Sequence, residues 1–360
     1  MKTKGNILPY MKLVILNYSM NKDNLVFAHQ YEAVLGLSEF FDKTDVLTAD
    51  PVITPVPTRR IEVTSTKWLQ GKWVRNIYWF YRKSLPILWN HRGGVLFSHM
   101  TEVQSLLAIP VCKALRIRHF LWYAHTSKSY YLRICNLFVD GILTSTSGSC
   151  PLKSKKVSAL GQAIDIRKYH PTNSLPIFPP SHWYHVGRID KSKNIETIIK
   201  VLRSLKDRGI EVSLEIIGAP SSSKNSSYLS NLHDFIRKGG NTDWVSFLGP
   251  ISRDRIPEAT KHLHGFIHAY QGSLDKAVLE ATALGKYVVS ANSEYLKEFG
   301  LGLQSTEPFD RLLTQLLAIY SSNQQKQIHE IVRRRTIIEE KHSLQGWTEK
   351  VALVIGGRSR

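Results

Sequence analysis

The sequence predicts an α/β protein whose parallel sheets are divided between two domains. Its 360 residues, of which 42% are hydrophobic, are enough to bury two sizeable cores. Short apolar runs alternate along the chain with longer helix-like stretches, which is the pattern of strands joined by helical crossovers. Residues 171–182 hold four prolines among Asn and Ser, and this composition favours an extended linker between two halves.

The individual elements follow from where the apolar runs begin and end. In the first half, strands are predicted at 12–17, 94–98, 118–124 and 140–145, and helices at 26–41, 102–115 and 127–138. In the second half, strands are predicted at 183–187, 212–218, 244–248, 265–269 and 286–290, and helices at 194–208, 226–238, 254–262 and 276–285. The final stretch, residues 308–357, predicts two helices.

The charge of the chain points to an anionic partner. There are 48 Lys and Arg against 29 Asp and Glu, a formal net charge of +19, and the excess is concentrated in residues 1–180. Such a field favours nucleic acid, an anionic membrane or a phosphorylated substrate. The three cysteines are odd in number and lack paired spacing, so we expect free thiols in a reducing cytoplasm and no zinc site. No membrane span and no signal peptide are predicted.

The strand predicted at 183–187 ends in a small, basic loop. Gly187 and Arg188 come first, Lys193 stands five residues after Arg188, and a helix begins at once. A loop between a strand and a helix lies at the carboxyl edge of a parallel sheet, where ligands bind. Glycine lets the backbone approach a ligand, and Arg and Lys offer positive charge to phosphates, so a phosphate site is predicted. The alternative is a solvated basic loop.

A second loop, residues 271–275, opens the helix predicted at 276–285. A helix N-terminus offers unpaired N–H groups and a partial positive charge to an anion. We expect Glu280 near the first turn, where its carboxylate can accept hydrogen bonds from a ribose diol while the amides hold the attached phosphates. The alternative for Glu280 is an ordinary glutamate that is stabilised by the helix dipole.

These segments resemble the nucleotide-binding domain of the retaining GT-B glycosyltransferases of family 4, the glycosyl transferases group 1. The family has a G-R-x4-K-[GN] loop and an E-x7-E segment that runs into L-E-A-x-A-x-G-x-x-V-V. The residues that match are Gly187, Arg188, Lys193, Asn194, Leu279, Glu280, Ala281, Ala283, Gly285, Val288 and Val289. Residues 216–218 and 247–251 fit the intermediate I-x-G and F-x-G-x-[VI] strand ends.

The resemblance also reaches the first half and covers residues 11–355. It depends there on the strand ends at 98–100, 121–125 and 144–147, on the turn at 160–165 with Tyr169, and on His342-Ser343-Leu344 before Trp347. It implies a GT-B fold of two Rossmann-like domains that face a central cleft. The implied parts are an acceptor-binding domain at 1–170, a linker at 171–182, a nucleotide-sugar-binding domain at 183–340 and a last helix at 341–360 that packs back on the N-domain.

The resemblance implies a hexosyltransferase that takes a nucleotide-diphosphate sugar as donor substrate and needs no cofactor. Arg188 and Lys193 would hold the donor diphosphate and neutralise the leaving group, and Glu280 would bind the ribose. The backbone around Ile251 would lie near the base, and His125 would face the donor sugar. We count His125, Arg188 and Lys193 as catalytic. The other donor-binding residues that the resemblance implies are Gly187, Gly218, Ser273, Leu274, Asp275 and Lys276.

The implied chemistry is front-face displacement without a metal ion. The leaving phosphate itself would help to deprotonate the acceptor hydroxyl, so no carboxylate nucleophile is needed. Two opposite charges about 4 Å apart interact by about 4 kcal/mol at an effective dielectric of 20, so Arg and Lys can supply much of the leaving-group stabilisation. No DxD motif stands in a metal-binding context.

The sequence departs from the family pattern at two places. The leading Glu of E-x7-E is replaced by Gly272, so the usual contact to the sugar hydroxyls is missing, and Asp275 is the nearest replacement. The Gly-Gly loop usual after the first strand is also absent, because the chain there reads Asn17-Tyr18-Ser19.

Residues 65–94 form a basic and aromatic stretch with six Lys or Arg, no acidic residue and seven aromatic residues, four of them Trp. Part of it, residues 72–85, predicts an amphipathic helix. Aromatic rings suit the headgroup layer of a bilayer, and basic residues near an anionic leaflet add about 1 kcal/mol each. We therefore predict a cytoplasmic enzyme that docks on the inner membrane face. The alternative is a core helix with a solvated basic edge.

The function hypothesis favoured by the sequence is a glycosyltransferase of cell-surface polysaccharide or glycolipid synthesis, with a glycan or lipid-linked acceptor. One alternative is an inactive relative or a nucleotide-sugar epimerase of the same fold, which Gly272 leaves open. The other is a basic nucleic-acid-binding protein, although no recognition signature for nucleic acid is present. His99 and His185 are interpreted as structural histidines.

Overall fold

The computed structural model describes residues 11–24, 26–50, 55–56, 58–171, 176–220, 223–302 and 305–357. The chain divides into two compact units, Met1–Ala163 with Leu344–Arg360, and Ile164–Ser343. The predicted linker, 171–182, falls within the second range, and its residues 172–175 lie outside the described part of the chain. Its role as a linker stays a prediction.

The first unit contains a parallel sheet of seven strands. The strands are β1 Lys12–Asn17, β2 Lys43–Thr48, β3 Ile61–Ser65, β4 Val95–His99, β5 Arg118–Trp122, β6 Gly141–Thr144 and β7 Val157–Ala159. Their order is β3-β2-β1-β4-β5-β6-β7, and every pair is parallel. The predicted strands β1, β4, β5 and β6 are present. The sequence analysis missed β2, β3 and β7, because polar residues interrupt them (KTDVLT, IEVTS) or because they are short.

The helices of this unit that precede residue 164 are α1 Ala28–Ser38, α2 Trp73–Asn90, α3 Glu102–Ala114 and α4 Tyr130–Phe138. Alternate residues of β1 point to opposite faces, as the pleat requires. Leu13 and Ile15 pack in one core cluster with residues of α1, while Val14 and Leu16 pack in another with residues of α2 and α3.

Helix α2 confirms the amphipathic helix predicted at 72–85 and continues through Pro86 to Asn90. Its buried residues, Asn76, Phe80, Ser84 and Leu88, are spaced four apart and form one stripe. Among the residues that the structure describes, no helix combines the length and the apolar character needed to cross a bilayer.

The second unit contains a parallel sheet of five strands. The strands are β8 His182–Val186, β9 Ser213–Ile217, β10 Val245–Gly249, β11 Gly265–His268 and β12 Tyr287–Ser290, in the order β10-β9-β8-β11-β12. All five were predicted to within two residues. The signal is clear because apolar, mostly β-branched or aromatic runs are bounded by Gly or polar loops.

The helices that follow are α5 Ile195–Lys206, α6 Ser223–Lys238, α7 Ile256–Ala259, α8 Lys276–Ala283, α9 Ser293–Glu298, α10 Pro308–Tyr320, α11 Gln324–Ile337 and α12 Leu344–Gly356. The prediction of two helices over 308–357 was wrong, since three are present. Asn323 caps α11 and separates it from α10, and extended backbone at Ser343 separates a π-helical turn, Ile338–His342, from α12. The helix predicted at 254–262 is shorter in the structure, where a 3-10 turn precedes the four residues of α7. The sequence analysis did not predict α9.

Helix α12 belongs to the first unit, where it packs beside α1. Its Trp347 is 1% exposed and lies edge-on to Trp122, with ring centroids 5.1 Å apart. Trp347 also lies 6.0 Å from the ring of His99, which is itself buried. This aromatic packing agrees with a structural role for His99.

Candidate functional site

The second sheet has one position at which the chain order reverses. From β8 the chain runs outward through β9 to β10, and it then returns to the other side of β8 to form β11 and β12. In open parallel sheets, ligands bind at the carboxyl ends of the strands at such a reversal. The two loops predicted to bind the donor, after β8 and after β11, meet at this point.

The Lys193 ammonium and the Asp275 carboxylate form an ion pair between these two loops. Their side chains are only 8% and 19% exposed. Asp275 is also the N-cap of α8, because its Oδ1 accepts a hydrogen bond from the amide of Ala277. Burial alone would raise the pKa of Asp275, but Lys193 and His268 outweigh it and hold the pKa well below its usual range. Asp275 is therefore a charged anchor for Lys193.

Two buried histidines lie beneath this pair. His268 Nε2 lies 3.3 Å from Asp275 Oδ2, and its Nδ1 lies 3.1 Å from the Ser290 hydroxyl. His185 Nδ1 lies 3.0 Å from the Ile267 carbonyl. Burial, together with the neighbouring His268, lowers the pKa of His185 to about 3, and burial also lowers the pKa of His268. Both rings are therefore neutral near pH 7, which agrees with a structural role for His185.

Tyr270 covers the other side of Lys193. The ammonium lies 4.3 Å from the centroid of the Tyr270 ring, within the range of a cation–π contact. Gly187 contributes space on the strand side, because a Cβ there would lie 3.4 Å from Lys193 Cε and 3.3 Å from His185 Nε2. The Lys193 ammonium thus lies between a carboxylate and an aromatic ring, and its alkyl chain lies beside Gly187.

Arg188 is the more accessible cation of the first loop. Its side chain is 50% exposed, and its Nε lies 3.6 Å from Asp190 Oδ2. Asp190 in turn accepts a hydrogen bond of 3.0 Å from the Ser192 amide. An exposed guanidinium with one loose carboxylate contact can reorient toward a bound anion at little cost.

The loops after β8 and β9 contact each other through two glycines. Gly218 has φ +152°, and a Cβ on it would overlap the Gly187 carbonyl oxygen. The Gly218 amide donates to the Gly249 carbonyl at 2.9 Å, which joins the loop after β10 to the same edge. Ile251, predicted near the base, follows that loop and is partly buried against the core of this unit.

Glu280 lies in the second turn of α8, so the expectation of a position near the first turn was wrong. The helix begins at Lys276, as predicted, with Asp275 as its N-cap, and Glu280 is its fifth residue. Glu280 is 7% exposed and forms an ion pair with Arg253, whose side chain is 18% exposed. Sequence reasoning missed Arg253, although it stands two residues after Ile251 in the predicted base loop.

The loop before α8 is fixed by Asn292. Its Nδ2 donates to the carbonyls of Tyr270, Gly272 and Ser273 at 3.1, 3.0 and 3.2 Å. Ser273 and Leu274 are buried, with Leu274 in the core, and Lys276 is partly exposed as the first residue of the helix. Gly187, Lys193, Gly218 and the Asp275 loop are thus gathered at one sheet edge.

The first unit carries the remaining predicted residue. His125 is exposed, three residues beyond the end of β5, and its Nδ1 accepts a hydrogen bond of 3.0 Å from the Ser127 amide. Gln30 of α1 occupies the place where the Gly-Gly loop is absent. Its Oε1 accepts from the amides of Tyr18 and Ser19 at 2.9 and 3.2 Å. These two amides are therefore engaged within the protein.

Residues 181–299 match the family model described as glycosyl transferases group 1, which covers β8 to α9 and every loop of this site. No curated protein sequence matches the chain significantly. The match supports the predicted enzyme class, a glycosyltransferase.

Solved structures similar to the whole chain include Anabaena Alr3699/HepE in complex with UDP and glucose. It is 14% identical with a TM-score of 0.74, over 97% of this chain and 100% of that one. Sucrose-phosphate synthase from Thermosynechococcus elongatus is 13% identical with a TM-score of 0.70, over 96% and 98%. A trehalose-6-phosphate structure from E. coli, bound with UDP-2-fluoro glucose, is 12% identical with a TM-score of 0.72, over 97% of this chain and 99% of that one.

These likenesses confirm the predicted fold class, since both units contain parallel sheets of the Rossmann-like type. The protein therefore has the GT-B fold, and residues 181–299 of its second unit are similar to the glycosyl transferases group 1 family.

Proposed function

We propose that the protein is a retaining glycosyltransferase of family 4 that moves a sugar from a nucleotide-diphosphate donor to a glycan or lipid-linked acceptor. The observation that carries this proposal is the placement of Arg188, Lys193 and the α8 loop at the strand-order reversal of a group 1 domain. Two of the similar structures named above, those from Anabaena and E. coli, contain UDP or a UDP-sugar, which supports UDP as the nucleotide of the donor.

In the proposed reaction, Arg188 and Lys193 bind the donor diphosphate and neutralise the charge that develops on it as the sugar leaves. Arg188 is free to move from Asp190 to the phosphate, whereas Lys193 acts from a fixed position. Each such contact contributes about 4 kcal/mol at a separation of about 4 Å and an effective dielectric of 20. The two side chains supply this charge themselves, so we propose a metal-independent reaction.

The proposed nucleotide contacts involve Glu280 and the loop after β10. Glu280 accepts hydrogen bonds from the ribose hydroxyls, which replace part of its ion pair with Arg253. The backbone at Ile251 lines the base. The acceptor hydroxyl attacks the face from which the diphosphate leaves, and a phosphate oxygen takes its proton. His125 is the proposed catalytic contact to the donor sugar.

We further propose that α2 docks a cytoplasmic enzyme on the inner membrane face, where it serves cell-surface polysaccharide or glycolipid synthesis. The exposed face of α2 carries large apolar side chains, with Val74, Tyr78 and Trp89 exposed by 85%, 57% and 61%. The side-chain cations of Lys67, Arg82 and Lys83 lie 5.7 to 5.9 Å from the centroid of the Trp79 ring. Arg82 and Lys83 belong to α2, as Trp79 does, and Lys67 precedes the helix. Apolar rings with surrounding cations suit an anionic leaflet.

Docking is tested by co-sedimentation with anionic and neutral vesicles. We expect binding to the anionic vesicles, and we expect the variant Val74→Ser/Trp89→Ser to lose it. Equal binding to neutral vesicles, or none to either, contradicts the proposal.

The transferase proposal is tested with a thermal-shift panel of nucleoside diphosphates and a hydrolysis screen of nucleotide-sugars. We expect stabilisation by UDP in the wild type, and much less in Arg188→Ala. The absence of any response to nucleoside diphosphates, together with an unchanged Arg188→Ala, contradicts the proposal. Epimerisation of the donor without an acceptor would favour the epimerase alternative.

A further inference from the structure

We infer that Tyr270 recognises the sugar of the donor, with its phenol group in the space that a side chain at position 272 would otherwise occupy. This inference rests on the proposed function, because it assumes a nucleotide-sugar at the edge of the second sheet. It assigns donor-sugar recognition to a residue that lies outside the segments matched by sequence motifs.

Tyr270 stands two residues beyond the end of β11, at the reversal of strand order. One face of its ring lies 4.3 Å from the Lys193 ammonium, and the ring makes an edge-on contact with buried His268 at 6.1 Å between centroids. Its carbonyl accepts a hydrogen bond of 3.1 Å from Asn292. The ring is therefore contacted by Lys193 and His268, the backbone of Tyr270 is fixed by Asn292, and the residue is partly exposed.

Gly272 and Tyr270 are sterically coupled. A Cβ at position 272 would overlap the Tyr270 hydroxyl oxygen and the ring carbon that bears it. Any other residue at 272 would therefore push the phenol group aside. Glycine stands at 272 where the family pattern has an acidic residue, and the Tyr270 ring can take its observed position only because position 272 has no side chain.

If Lys193 binds the diphosphate, the Tyr270 phenol group lies beside the place for a sugar bonded to the distal phosphate. Lys193, the proposed diphosphate ligand, lies under the Tyr270 ring, and the hydroxyl extends past it over the loop that leads into α8. A phenol both donates and accepts hydrogen bonds, as a sugar hydroxyl does. In the described part of the chain, no group forms a hydrogen bond with the Tyr270 hydroxyl, so it is available to a ligand.

The test compares three variants in a donor-hydrolysis or transfer assay with UDP-sugars. Tyr270→Phe removes only the oxygen atom, and Gly272→Ala keeps the oxygen but displaces it. We expect both variants to lower kcat/KM for the preferred UDP-sugar by about tenfold, the loss of roughly one hydrogen bond. We expect the dissociation constant of UDP itself to change by less than about twofold, because UDP lacks the sugar.

The matched control is Tyr320→Phe. The Tyr320 hydroxyl donates to the Pro180 carbonyl and accepts from Trp183 Nε1 at 3.2 Å, near the opposite, amino end of β8. This variant should lower the thermal midpoint and leave the discrimination between sugars unchanged. It separates the effect of losing a structural hydroxyl from the effect on recognition.

The decisive readout is the preference for the parent donor over deoxyfluoro donors that each lack one sugar hydroxyl. In the wild type, one analogue should be disfavoured by about tenfold, and Tyr270→Phe should abolish that preference. An unchanged kcat/KM and preference in Tyr270→Phe overturns the inference. A matching loss of UDP affinity also overturns it, since Tyr270 would then act through Lys193. If the wild type binds no nucleoside diphosphate, the proposed function fails first, and this inference fails with it.

Discussion

Replacing Asp275 by Asn removes the negative charge of the Lys193–Asp275 ion pair and leaves the shape of the side chain nearly unchanged. The pair is buried, with side-chain exposures of 8% and 19%. Removing one member of a buried pair costs about 3–5 kcal/mol, because the remaining charge stays buried without compensation. Asn is as good an N-cap as Asp, so the cap of α8 should survive. We therefore expect a loss near the lower limit, about 3 kcal/mol.

Thermal unfolding measures this loss. At about 2–4 °C per kcal/mol for a domain of this size, the midpoint of the variant should fall by about 6–12 °C. The folded pKa of Asp275 is lowered, so the pair stabilises the protein at neutral pH and loses its effect as the pH falls through the lowered value. The difference between wild type and variant should therefore shrink in acid.

The matched control is Asp207→Asn. Asp207 forms an ion pair of 3.0 Å with Arg203, but both side chains are exposed, by 62% and 43%. An exposed pair contributes less than about 1 kcal/mol, so this variant should unfold almost as the wild type does. If Asp275→Asn behaves like the control, the buried pair does not hold Lys193 and our account of the site is wrong.

Three further predictions follow from buried contacts. Glu280→Gln should weaken UDP binding by about tenfold or more in calorimetric titration, because a charged ribose acceptor is lost; unchanged affinity contradicts the ribose role. Gly218→Ala should cost at least about 1–3 kcal/mol in thermal unfolding, since φ is +152° and the Cβ would overlap the Gly187 carbonyl. Burial alone would raise the pKa of Asp45, but His91, 3.0 Å away, and a lysine lower it. Asp45→Asn should therefore destabilise the protein at pH 7 and flatten the acid side of its stability profile; an unchanged profile contradicts this pair.

Much of the second sheet could be predicted from the sequence, because its strands are short apolar runs that end in Gly or polar loops. Strand β2 could not, since Asp45 and three other polar residues interrupt its apolar pattern. Asp45 is buried in this strand, where His91, at the end of α2, pairs with it. A contact between residues so distant in sequence leaves no periodic signal.

The candidate site shows the same division. The loop motifs placed Gly187, Lys193 and Gly218 at one edge, because strand ends and glycines are local signals. The motifs did not indicate that Lys193 pairs with Asp275, 82 residues away, or that Arg253 pairs with Glu280. They also left Gly272 as an unexplained departure from the family pattern, whereas the structure shows that the Tyr270 hydroxyl occupies the space that a side chain at 272 would need.

The central claim is that Arg188, Lys193 and Glu280 bind the nucleotide diphosphate of a sugar donor at the edge of the second sheet. A crystal structure of the wild-type protein with UDP tests it most directly. We predict the diphosphate within hydrogen-bond distance of Arg188 and Lys193, and the ribose hydroxyls on the Glu280 carboxylate. Density for UDP at any other place, with no contact between UDP and these three side chains, would contradict the account.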